Sequence, residues 1–263
     1  MILLHRITSF FVSALAAGGY YFLIFHPFVE GSSIDRVTAL IAMGSVALLS
    51  ALLLSRLLKW EVTSFSFWIF LSVPMFVIIS SFCLYLFLEI LALKIILALM
   101  VSLALWLYTE NLFAFYHLPA AYQAYALEYL SVILYLLSCF FFASSAYGAQ
   151  MFLQYPIWML SIAMFWVVIL ATAGVFWVSK VDSETSMLYA IVGAIMLTEG
   201  YVVIGLLPTS FLTNGAAFTV LLYLFFGLSR AHVLEKLTRP VASRYLGIAG
   251  AFMVLVFLTA RWF

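Results

Sequence analysis

The chain has 263 residues, of which 68% are hydrophobic and only 8% charged, with a formal net charge of +1. A soluble domain carries about 25% charged residues, so this composition excludes an ordinary soluble enzyme and points to a polytopic membrane protein. There is no basic or acidic bias to favour nucleic acid, and no polar stretch is long enough to form a separate soluble domain.

Hydropathy predicts nine spans, at about 7–25, 37–58, 66–88, 95–117, 127–147, 157–178, 187–207, 216–233 and 245–261. Eight spans is the nearest alternative. The expected fold class is therefore an all-α membrane protein, a bundle of about nine transmembrane helices. At the start, His5 and Arg6 precede an apolar run, and Ala14-Leu15-Ala16 has a cleavage-like spacing. The run continues to Phe25, so it is read as the first span rather than a signal peptide. Connections are short, and the polar ones are 26–36, 55–64, 179–186 and 234–244.

The Lys/Arg distribution sets an orientation. With the N-terminus inside, the inner side holds Arg6, Arg56, Lys59, Lys180, Arg230, Lys236, Arg239 and Arg244. The outer side holds Arg36, Lys94 and Arg261. Eight against three fits the positive-inside rule. The expectation is a multi-pass protein of the plasma (cytoplasmic) membrane with its C-terminus outside. Trp60, Trp68, Trp158, Trp177 and Trp262 lie at span ends, where indole rings anchor at the lipid interface. Cys83 and Cys139 fall inside apolar runs and read as buried thiols.

A repeat runs through the middle of the chain. Thr109-Glu110, followed by Leu118-Pro119, recurs as Thr198-Glu199, followed by Leu207-Pro208, at an offset of 89 residues. Leu71-Ser72-Val73-Pro74-Met75-Phe76 aligns with Leu160-Ser161-Ile162-Ala163-Met164-Phe165 at the same offset. The reading is one transmembrane domain over 1–263. Within it, 66–147 is one repeat unit, 157–234 the second, and 37–65 a peripheral span and loop. Three spans per unit would invert the second relative to the first, as in many secondary transporters. Gly19-Tyr20 before Pro27 echoes Gly200-Tyr201 before Pro208, a degenerate third copy without the acid.

The acids are the candidate polar centre. Glu199 falls inside the apolar run 187–207, and an ionisable group at that depth marks a functional site or a hydrogen bond between helices. Ala190, Gly193, Ala194 and Gly200 form a small-residue face on the same span, with Glu199 roughly opposite Ala190. Both sides are therefore expected to be covered, which makes span seven central. On span four, Trp106, Glu110 and His117 share a face, and Asn111 adds a polar group. His117 reads as a proton relay or as an interfacial side chain. No Lys or Arg stands at matching depth in the sequence, so desolvation is expected to favour neutral carboxyls. If spans four and seven both line the repeat axis, the acids approach one another. Pro119 and Pro208 read as helix ends, Pro74 as a kink, and Glu89 with Lys94 as a surface ion pair. The charged group around 230–244 sets topology and meets anionic lipid.

The function expected first is a small permease, proton-coupled in its sharper form, with a polar centre at Glu110, Glu199, Asn111, Thr109, Thr198 and His117. Its partners would be the lipid bilayer and a small-molecule or ion substrate, with no cofactor, metal or nucleic acid. The second is a non-catalytic scaffold or assembly subunit whose acids join helices. The third is an intramembrane enzyme acting on lipid-linked material. The chain has no zinc, phosphate-loop or serine-elbow motif, which weighs against an enzyme.

Overall fold

The computed structural model describes residues 2–30, 36–123 and 125–260. Arg261 and Trp262 lie outside the described residues, as does 31–35 of the first connection. The helices are α1 (Ile2–Glu30), α2 (Arg36–Leu57), α3 (Phe65–Tyr85), α4 (Leu91–His117), α5 (Ala126–Leu153), α6 (Ile157–Val178), α7 (Ser183–Gly205), α8 (Phe211–Val233) and α9 (Arg239–Thr259). Among the described residues, nine helices are long and apolar enough to cross a membrane, which suggests a polytopic membrane protein. Each predicted span falls on one of them. In hydrocarbon the backbone must satisfy its own hydrogen bonds, and an uninterrupted helix does so.

Where helices end, the local chemistry is visible. The Asp182 side chain caps α7 by accepting from the Thr185 N–H at 2.8 Å. That bond favours the charged form and holds the Asp182 carboxyl below its usual range. Ser210 caps α8 by accepting from the Thr213 N–H at 3.3 Å. After α2, α6 and α8, the chain turns through left-handed Lys59, Lys180 and Glu235. In each case the paired bonds of a Schellman motif close the last turn: Trp60 N–H to Ser55 O, Val181 N–H to Phe176 O and Lys236 N–H to Ala231 O, all between 2.9 and 3.1 Å. Pro119 opens a 3-10 turn, Pro119–Ala121, and Pro208 lies between α7 and α8, so both prolines mark turns. Pro74 lies inside α3.

The chain divides into two compact units, residues 1–134 and 135–263. In the first, α1 packs on α4 and α2, while α3 lies against α2 and α4. Tyr20 of α1 donates to Ser81 Oγ of α3 at 2.6 Å. Tyr108 of α4 donates to Phe70 O of α3 at 3.0 Å. Lys94 lies 4.9 Å from the Tyr85 ring centroid. Among the described residues, the Glu89–Lys94 ion pair expected from sequence is not formed, and the ammonium lies over this aromatic face instead.

In the second unit, α7 packs on α6 and α8, and α8 on α9. The C-terminal half of α5 lies in its middle, with every residue from Ala143 to Gly148 buried. Tyr135 fills the space over Gly174 of α6, and Ser144 the space over Gly215 of α8. Small residues there let backbones approach closely without a hydrophobic drive between helices. Cys139 is buried and Cys83 half-buried, both as free thiols.

Candidate functional site

Glu110 lies on α4 facing α1, and Arg6 of α1 reaches it. Arg6 Nε stands 3.3 Å from Glu110 Oε1. Ser9, one turn further along α1, places its hydroxyl 3.4 Å from Glu110 Oε2 and 3.1 Å from Thr109 Oγ1, so its one proton can be donated to either. Thr109 is fully buried. Its hydroxyl lies 2.8 Å from Leu105 O and 3.2 Å from Ser9 O. Two helices distant in sequence are thus joined by an ion pair and a hydroxyl chain. The expectation that no cation matches the depth of the acids is corrected for Glu110. Arg6 flanks the predicted first span, but a guanidinium on a three-carbon stem reaches along its helix.

The other predicted groups of this unit serve their surroundings. Asn111 Nδ2 donates to Leu107 O of its own helix at 2.7 Å. His117 Nε2 lies 3.2 Å from Leu57 O, the last residue of α2, and since a carbonyl can only accept, this nitrogen donates. The His117 ring stacks on Phe113 at 5.3 Å.

On α7, Ala190, Gly193 and Ala194 are buried, as the small-residue pattern predicts. A Cβ on Gly193 would collide with the Phe225 ring of α8, and one on Gly200 would lie 3.3 Å from Leu221 Cδ1. The opposite side behaves differently. Glu199 is exposed. Around it, Leu188, Val192, Ile195, Met196 and Val203 are exposed too. The inference that both sides of α7 are covered is therefore corrected. Helical spacing separates the two faces but carries no information on what covers each. Thr198 Oγ1 and the Tyr201 hydroxyl are buried with no hydrogen-bond partner among the described residues.

Among the described residues, three recesses stand out. A recess of about 230 Å³ is lined by Tyr147, Gln150, Gly205, Thr209, Phe211 and Asn214, with Met151 and Leu207. A second, apolar, of about 300 Å³, lies between α5, α8 and α9, and a third, of about 370 Å³, between α1 and α2. Neither Glu110 nor Glu199 lines any of the three.

Sequence reasoning missed Arg6, Ser9 and the recess. Arg6, Ser9 and Ser13 fall at i, i+3 and i+7 on α1, a polar stripe that signals a helix contact. The recess leaves no such signal, since its residues are uncharged and drawn from separate segments. No curated protein and no solved structure matches the chain. The chain belongs to the family described as Protein of unknown function (DUF5656), whose model matches residues 7–259.

Proposed function

We propose that the chain is a non-catalytic membrane scaffold or assembly subunit whose intramembrane acids join helices. One observation carries this reading: Glu199 is exposed on an otherwise apolar face of α7. A carboxyl against hydrocarbon is costly, and intramembrane acids almost always meet a partner. Glu110 supports the same logic, since α1 brings it Arg6 and Ser9. Glu199 is then offered to a helix of another chain that carries a basic or hydroxyl side chain at that depth. The protein is placed in the cytoplasmic membrane with its N-terminus inside and C-terminus outside. The Lys/Arg asymmetry and the odd number of spans support that placement.

Native mass measurement after direct extraction into polymer-bounded lipid discs tests this. The wild type is expected as a complex, Glu199→Leu as a single chain, and Glu199→Gln between them because it keeps the hydrogen-bonding shape. A wild type that runs as one chain alone sinks the proposal.

A small permease, proton-coupled through Glu110 and Glu199 and carrying a small molecule or ion, is the second reading. The matches at one 89-residue offset support it, because inverted repeats recur in secondary transporters.

A further inference from the structure

The recess at the ends of α5, α7 and α8 has the makings of a ligand site that depends on neither reading of the acids. Tyr147 and Gln150 come from the last two turns of α5, Gly205 ends α7, Thr209 lies in the turn after it, and Asn214 is in the first turn of α8. Asn214 is 5% exposed and Thr209 2%. The Thr209 hydroxyl donates to Asn214 Oδ1, which takes the carbonyl end of that amide and leaves its NH2 end for another acceptor. Tyr147 donates its hydroxyl proton to Tyr201 O at 2.7 Å, so its oxygen remains as an acceptor. Gln150 is half-buried, and its Oε1 would lie 3.4 Å from a Cβ on Gly205. That glycine keeps the recess open: the same Cβ would also come within 3.2 Å of the Tyr147 ring.

The lining therefore holds two carboxamides, a phenol and a threonine hydroxyl, with donors and acceptors interleaved. It holds no carboxylate, ammonium or guanidinium, so it offers nothing to balance a charged ligand. Phe211, in edge contact with Phe152 at 5.7 Å, supplies an aromatic wall. A volume of about 230 Å³ is many times what one water needs. That suits one small ring bearing several hydroxyls and is too large for a single dehydrated cation.

We propose that this recess binds a small uncharged hydroxyl-rich group, either a free sugar or the sugar headgroup of a glycolipid. The full chain in phosphatidylcholine discs, free of sugar-based detergent, is titrated with glucose and, separately, prepared with a glucosyl diacylglycerol in the lipid. Saturation-transfer NMR of glucose and the thermal unfolding midpoint with the glycolipid are the two readouts. A saturable glucose signal identifies a solute site, and a midpoint rise with glycolipid alone identifies a headgroup site. Gln150→Ala, at a half-exposed position that leaves the fold alone, should weaken whichever is seen by about tenfold, the loss of roughly one hydrogen bond. Gly205→Ala should reduce it further by filling the recess, with helicity checked by circular dichroism. Absence of a saturable effect with both probes overturns the proposal. So does an effect that Gln150→Ala and Gly205→Ala leave unchanged.

Discussion

Replacing Gly215 by alanine tests the local approach of α8 to α5 in the second unit. A Cβ at Gly215 would lie 3.0 Å from Ser144 Cα and would overlap the Ser144 hydroxyl. The hydroxyl can rotate aside, but Ser144 Cα and Cβ at 3.0 Å cannot, so relief also requires α8 to give slightly against α5. Overpacking of this kind costs about 1–3 kcal/mol. Against that, alanine is a better helix former than glycine by about 1 kcal/mol. The net expectation is a loss of up to about 2 kcal/mol. Gly44 provides the control, because a Cβ there meets nothing within 4 Å. Gly44→Ala should keep the propensity gain alone, up to about 1 kcal/mol. Gly193 is intermediate: its Cβ meets the tip of the Phe225 ring, which can rotate aside for alanine but not for leucine. Reversible unfolding in mixed micelles, followed by circular dichroism, should therefore rank Gly44→Ala at or above wild type, Gly193→Ala near it and Gly215→Ala below. If Gly215→Ala were as stable as Gly44→Ala, the close packing of α5 on α8 would be wrong.

Two further outcomes follow from the first unit and from the charge distribution. Arg6 lies at the edge of the predicted first span, so a double-mutant cycle with Arg6→Gln and Glu110→Gln should give a coupling of about 0.2–1 kcal/mol, the range for a pair that water screens at the lipid interface. Arg6 is 66% and Glu110 35% exposed, so the low end is expected, and zero coupling would remove the pair as a tie between α1 and α4. For orientation, a single cysteine at Thr238 in a cysteine-free background should resist an impermeant reagent added outside intact cells. Labelling there would reverse the proposed topology.

Much of the architecture was legible because its causes are local. Long apolar runs with few charges become membrane-length helices wherever they fall, so all nine appear in the sequence. The small face of α7 at Ala190, Gly193 and Ala194 follows from helical spacing alone, and Pro119 and Pro208 follow from the missing N–H of proline. Arg6 and Glu110 meet only because α1 packs on α4, a choice made by side-chain fit over about a hundred intervening residues. The exposure of Glu199 was equally hidden: period 3.6 divides a helix into faces, whereas the neighbouring helices decide which face is covered. The recess needed the tertiary structure entirely. Tyr147, Gln150, Thr209 and Asn214 are common residues with no shared spacing, and they acquire a joint chemistry only where the ends of three helices bring their polar atoms around one space.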